Sequence, residues 1–279
     1  MKLGISTYIW SAAYDDSVEQ MLPEIKEHGF DGIEFPVFRP AEVSPARVRR
    51  ALEANGLESN TAGIFVDGLS LISPDRVIRS KSVQRLKDLI TVSAECGSKT
   101  LAGPLYSPVG YLPGRRRTAD EWSWAVDAFQ QVGDTLVDHD VTLAIEPLNR
   151  FETFFLNTAA DAALLCDQVG HANVGILYDT FHANIEEKDI AAGLLTLGKH
   201  VKLIHTCEND RGTPGSGHVA WDSVFSAIHN LGYDGWLTIE SFGFALGDLS
   251  SAAAIWRDIE VTPSAIAFQG VRFLRARTS

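Results

Sequence analysis

Several short apolar runs each carry an ionisable residue among aliphatic and aromatic neighbours. AIEPLNR holds Glu146; ILYDTFH holds Asp179 and then His182; LIHTCENDR holds His205, with Glu208 and Arg211 beyond it; LTIESF holds Glu240; GIEFP holds Glu34. A carboxylate in such surroundings is costly unless it is paired or bound to a cation. For any one of these residues, an internal salt bridge or a solvated strand end explains it as well as a functional role does. The set Glu146, Asp179, His205 and Glu240 is different. Three carboxylates and one imidazole carry an excess of negative charge that one divalent cation would neutralise. The donors are oxygen-rich with a single nitrogen, which suits Mn²⁺, Mg²⁺ or Co²⁺ better than a Cys/His zinc site does. Four protein ligands leave open positions at octahedral coordination, the mark of a catalytic metal.

The elements that must carry these residues are legible as eight near-continuous apolar runs, at residues 3–7, 32–37, 59–65, 100–106, 142–148, 174–180, 201–207 and 236–242. Runs of this kind read as parallel strands buried on both faces. Between them the spacing predicts helices over residues 16–29, 44–56, 82–97, 159–169 and 221–231. Most end on a glycine suited to a helix C-terminus, and Thr158 is placed to cap 159–169. Eight strands alternating with helices predict a (β/α)8 TIM barrel, and 279 residues is an ordinary length for one, typically about 250. A doubly wound open sheet fits less well, because no Gly-rich phosphate loop follows the first strand. No linker or charge block divides the chain, so residues 1–279 are expected to form one domain. In such a barrel, function sits at the C-terminal strand ends, where the ionisable residues fall.

Composition narrows the function classes. The formal net charge of -12 argues against nucleic acid as a partner and, more weakly, against anionic membranes. Cys96, Cys166 and Cys207 form no CxxC pair and no disulfide framework, which fits a reducing compartment. The first residues, MKLGISTYIW, read as a strand rather than a secretory leader. No apolar stretch approaches the roughly 18 residues of a membrane span. A cytoplasmic, acidic protein is expected.

The runs EPLNRFETFFLNTAADAALLCDQVG, LYDTFHANIEE, HTCENDRGTPGSGHVAW and IESF, with GFDGIEF near the start and AAAIWRDI near the end, resemble the D-tagatose 3-epimerase / D-allulose (psicose) 3-epimerase family. That family lies within the xylose-isomerase-like barrels of the sugar phosphate isomerase/epimerase superfamily. The similarity spans most of the chain and is densest from Thr142 to Phe242. The resemblance implies one divalent metal per chain, Mn²⁺ first, with Co²⁺ or Mg²⁺ as alternatives. It puts Glu146, Asp179, His205 and Glu240 on the metal, and makes Glu146 and Glu240 the two acid/base carboxylates. It also puts Glu152, His182 and Arg211 at the carbonyl end of a sugar. The implied reaction is epimerisation of a free ketose at C3, of the D-tagatose, D-fructose/D-allulose or L-ribulose type, through a metal-bound cis-enediolate. A homodimer or homotetramer is implied as well.

The chain departs from the family in places. Strand eight reads Ile-Glu-Ser-Phe where ketose 3-epimerases usually read Glu-Pro-Phe, ISTYIW arranges its aromatics differently from the usual Tyr-rich start, and VDGLSLISPD does not match a known specificity. Arg115, Arg116 and Arg117 form a basic run that is expected to be a solvated face or interface patch; the sharper alternative is an anion clamp over the mouth. His218 is expected to be structural or surface-facing. Glu34 has two readings, pocket lining or pairing within the barrel. Trp221, Phe225 and Trp256 could serve an interface or pack helices on the barrel. The alternative function is a lyase or isomerase acting on a keto-inositol or 3-keto-glycoside with the same metal site. An endonuclease barrel would need more histidines and a basic face.

Overall fold

The computed structural model, which describes residues 1–278, is a closed barrel of eight parallel strands in chain order. The strands are β1 Lys2–Ser6, β2 Gly32–Pro36, β3 Glu58–Ala62, β4 Thr100–Gly103, β5 Thr142–Ile145, β6 Val174–Asp179, β7 Val201–His205 and β8 Trp236–Ile239. Each is followed by helix. α1 (Asp16–Glu27), α2 (Pro45–Asn55) and α3 (Arg76–Glu95) follow the first three strands. α4 (Ala119–Gln131) and α5 (Gly133–Asp138) follow β4, and α6 (Ala159–Val169) follows β5. α7 (Thr180–Glu186) and α8 (Ile190–Leu197) follow β6, and α9 (Trp221–Asn230) follows β7. α10 (Asp248–Ala252) and α11 (Pro263–Thr278) follow β8. β1 closes on β8, with Leu3 opposite Leu237 and Ile5 opposite Ile239. This is the (β/α)8 TIM barrel expected from the sequence.

The apolar runs overshoot the ladders at the barrel mouth. Pairing ends at Ala62, Gly103, Ile145 and Ile239, yet Phe65, Leu105, Tyr106, Leu148 and Phe242 beyond those ends are buried. Leu148 and Phe242 line the cavity at the mouth, whereas Phe65, Leu105 and Tyr106 join the main core, so burial continues where strand does not. The turn at the end of β4 needs glycine. Gly103 has φ of +129°, and a Cβ there would collide with the Gly63 carbonyl. α3 begins at Arg76, six positions before the expected start at residue 82, because Asp75 accepts a hydrogen bond from the Val77 N–H (2.8 Å). α4, absent from the sequence expectations, opens on a capping box: Thr118 Oγ1 accepts from Glu121 N (3.1 Å), and Glu121 Oε2 accepts from Thr118 N (2.7 Å).

The barrel interior explains why the chemistry-bearing residues converge. Ala102, Ala144, Leu177 and Leu203 form a buried layer against the Trp236 ring. Gly4 and Gly32 leave room for that ring; a Cβ on Gly32 would lie 2.8 Å from it. Side chains alternate along a strand, so two residues further on the same face presents Glu146, Asp179 and His205, and four residues on from Trp236 it presents Glu240. The main core, in contrast, lies between the strands and the outer helices. Among the described residues, no helix is long and apolar enough to cross a membrane.

Candidate metal centre and sugar site

Glu146, Asp179, His205 and Glu240 are all buried, and each offers a ligand atom lying within 4.8 Å of the others. Local structure fixes each one. Glu146 follows β5; its N–H donates to the Gly103 carbonyl (3.1 Å), and its own carbonyl accepts from the Tyr106 hydroxyl (3.0 Å). Asp179 is the N-cap of α7. One carboxylate oxygen accepts from Phe181 N (2.7 Å) and the other faces the cluster. The hydroxyl of Thr180 donates to the Cys207 carbonyl (2.6 Å) and accepts from the Cys207 N–H (2.8 Å), tying the ends of β6 and β7 together beneath Asp179 and His205. His205 directs Nε2 at Glu34 (3.2 Å to Oε2) and Nδ1 at Glu240 Oε2 (3.4 Å) and Asp179 Oδ2 (3.9 Å).

Arg211 enters this cluster from the loop after β7. It is buried and has φ of +65°, a rare backbone conformation for a residue with a side chain, and such conformations gather at functional sites. Its carbonyl accepts from Ser241 Oγ (2.5 Å). Its Nη1 lies 2.7 Å from Asp179 Oδ2 and 2.9 Å from Glu240 Oε2, and the guanidinium stacks on Phe181 at 4.0 Å from the ring centroid. Glu208 fastens the loop by accepting from Gly215 N, Val219 N and Trp221 Nε1 (2.8, 2.9 and 2.9 Å). His182, on α7, accepts at Nδ1 from the Asn149 backbone N–H (3.1 Å) and brings Nε2 to 3.6 Å from Glu146 Oε1. Glu152 accepts from the Asn149 side-chain amide (2.7 Å). Glu152, His182 and Arg211 line one cavity together with Glu146, His205 and Glu240. Tyr8 and Phe242, stacked at 5.4 Å, form part of its apolar wall.

The electrostatics of these side chains are strongly split. Burial, reinforced by the charges of Glu240 and Asp179, pushes the Glu146 carboxyl well above its ordinary range. Burial also works to raise Glu240, but His205 and Arg211 outweigh it and bring Glu240 down to about 2. Burial lowers His182 to about 3, so its imidazole is neutral. His205 is raised: burial disfavours its imidazolium, but Glu34 and Glu240 prevail. Ligation through Nδ1 therefore requires loss of a proton. Glu152 is raised, chiefly by burial.

The donor set fits a divalent cation. Glu146 Oε1 and His205 Nδ1 are buried without a hydrogen-bond partner among the described residues, and both belong to the four-residue cluster. Buried polar atoms are ordinarily satisfied, so two orphans in one carboxylate-rich cluster point to a ligand.

Every site residue expected from the sequence lies here. Arg211 pairs with Asp179 and Glu240 rather than with Glu208 or Asp210 on a solvated loop. The basic run does not form a clamp. Arg115 pairs with Glu121, Arg117 pairs with Asp161 and donates to the Phe155 carbonyl, Arg116 is exposed, and none of the three lines the cavity. His218 is exposed. Trp221 and Phe225 are buried against the barrel, whereas Trp256 is 76% exposed. Of the two readings of Glu34, pairing within the barrel holds: it contacts His205 and does not line the cavity. Its signal was present, as a carboxylate inside an apolar strand, but its partner lies 171 residues away.

The fold and this carboxylate-rich mouth place the chain in a class of barrels: residues 22–277 match the xylose isomerase-like TIM barrel family, to which the chain belongs. Its relatives include sugar epimerases. The chain is 38% identical over 275 residues to a probable ketose 3-epimerase of Synechocystis sp., covering 99% of this chain and 96% of that one. It is 32% identical over 277 residues to an L-ribulose 3-epimerase of Mesorhizobium japonicum, covering 98% and 93%. The solved structure of D-allulose 3-epimerase from Methylomonas sp. in complex with D-allulose superposes with a TM-score of 0.94 at 26% identity, covering 99% of this chain and 97% of that one.

Proposed function

We propose that this protein is a metal-dependent isomerase that epimerises a free ketose at C3, of the D-tagatose, D-fructose/D-allulose or L-ribulose type. The observation that carries this reading is the buried Glu146–Asp179–His205–Glu240 cluster, three of whose members, Glu146, His205 and Glu240, line one cavity with Glu152, His182 and Arg211. Similarity to ketose 3-epimerases over nearly the whole chain supports it. A neutral sugar fits better than a sugar phosphate. Arg211 is the one Lys or Arg lining the cavity among the described residues, and two carboxylates already engage it.

Epimerisation at C3 requires removal of the C3 proton, which is acidic because C2 is a carbonyl, and its return to the opposite face. Glu146 and Glu240, arriving from β5 and β8, are the two carboxylates for these transfers. One takes the C3 proton while the electron pair moves into the C2–C3 bond and the C2 oxygen gains negative charge. The other carboxyl delivers a proton to the other face as the carbonyl re-forms. Arg211 and the neutral His182 hold the oxygens at the carbonyl end, and Glu152 accepts a hydrogen bond from a sugar hydroxyl. A divalent cation held by Glu146, Asp179, His205 and Glu240 would supply the positive charge that stabilises the developing oxyanion. Mn²⁺ is the first choice, with Co²⁺ or Mg²⁺ next. A homodimeric or homotetrameric, cytoplasmic enzyme without nucleic-acid or membrane partners completes the reading. The test is conversion of a ketose to its C3 epimer by the Mn²⁺-loaded protein. Conversion that stops on chelation and returns with Mn²⁺ supports the proposal; no C3 epimer from any free ketose refutes it.

A further inference from the structure

We infer that Glu34 is a positioning residue for the metal centre: it grips Nε2 of His205, so that Nδ1 is the ring nitrogen presented to the cation. This rests on the metal-site reading above. Glu34 is fully buried on β2, and among the described residues its ion-pair partner is His205. It does not line the sugar cavity, so contact with substrate does not explain it. A carboxylate accepts and cannot donate, so the imidazole nitrogen facing it at 3.2 Å must carry the hydrogen. The other nitrogen then lies across the ring, toward Asp179 and Glu240 at 3.9 and 3.4 Å, and has no hydrogen-bond partner among the described residues.

The sheet holds Glu34 in place for this task. Ser6 and Asn60 are its register partners on β1 and β3, and both are buried. The carboxylate thus sits in a polar strip across three strands. An ion pair in that position adds little net stability compared with apolar packing. Its use lies in selecting one tautomer and one ring orientation. Carboxylates that hold a ligating histidine commonly alter metal affinity by 10–100-fold when replaced.

Titration of the chelator-treated full-length protein with Mn²⁺ by calorimetry tests the assignment, with the metal-free melting temperature measured alongside. Wild type is expected to bind one equivalent. Glu34→Ala is expected to bind about 10–100-fold more weakly, and Glu34→Gln, whose amide oxygen can still accept from Nε2, to fall between them. Wild-type affinity in Glu34→Ala would overturn the role of Glu34 while leaving the metal site intact. Failure of wild type to bind Mn²⁺ would overturn the metal site itself. Should the variants not fold, ¹⁵N-histidine NMR of the Mg²⁺-loaded wild type decides: a protonated Nε2 on His205 supports the assignment, and a protonated Nδ1 refutes it.

Discussion

Removing the Arg211 guanidinium should reveal how much negative charge the barrel mouth holds. Arg211 touches Asp179 and Glu240 at 2.7 and 2.9 Å, and all three side chains are buried. In Arg211→Ala those carboxylates lose their cationic partner. Breaking a buried pair from one side costs about 3–5 kcal/mol. At about 2–4 °C per kcal/mol for a domain approaching this size, the chelator-treated variant should melt about 6–20 °C below wild type. Arg211→Lys keeps a charge but not the planar fork that spans both carboxylates, so it should fall between the two. Saturating Mn²⁺ supplies the missing positive charge. The gap between Arg211→Ala and wild type should therefore narrow when both are loaded. Scanning calorimetry with and without Mn²⁺ measures both effects. A metal-free variant melting within about 2 °C of wild type, or a gap that widens on loading, would refute the view that Arg211 and the cation balance the same carboxylates.

Other substitutions separate the remaining roles. Glu146→Gln and Glu240→Gln should each lower kcat by about 10²–10⁴-fold with unchanged circular dichroism, since each removes one proton-transfer group; turnover near wild type in either would sink the two-carboxylate mechanism. Burial works to raise Glu208, but its hydrogen bonds from Trp221, Val219 and Gly215 outweigh it and lower its pKa in the folded state. Its contribution is therefore present above its unfolded pKa, about 4.3, and is lost as pH falls through the lower folded value. Glu208→Gln should cost about 1–3 kcal/mol at neutral pH, and its melting-temperature deficit should shrink on acidification below about pH 4; a deficit independent of pH would contradict this. Replacing Arg115, Arg116 and Arg117 together with Ala should leave kcat/KM on neutral ketoses within about twofold, because none lines the cavity. The loss of the Arg115–Glu121 and Arg117–Asp161 pairs, in which Glu121 is buried and the other three side chains are partly exposed, should appear only as a lower melting temperature.

The barrel was legible because strands buried on both faces leave unbroken apolar runs, and eight of them close a ring. The four cluster residues were legible because a charge inside such a run is costly. Their convergence follows from the two-residue alternation above Ala144, Leu177 and Leu203. Strand ends were less legible. Leu148 and Phe242 are apolar because they cover the mouth, and no local signal separates that from strand. The depth of Arg211 was also hidden, since ENDRGTPGSG has the composition of a solvated loop. Only Glu208, drawing that loop inward through three donors, and Ser241, holding the Arg211 carbonyl, reveal why it is buried. α4 carried its capping box openly in TADE, whereas the pairing of Glu34 with His205 depends on closure of the barrel.

The most direct test of the proposed chemistry is proton exchange at the reacting carbon. The Mn²⁺-loaded protein is incubated in D₂O with D-tagatose, D-fructose, D-allulose and L-ribulose, and deuterium is followed by NMR. Deuterium appearing at C3, together with the C3 epimer, is the expected result. Absence of exchange at C3 in every ketose, with Mn²⁺ shown to be bound, would contradict the 3-epimerase assignment.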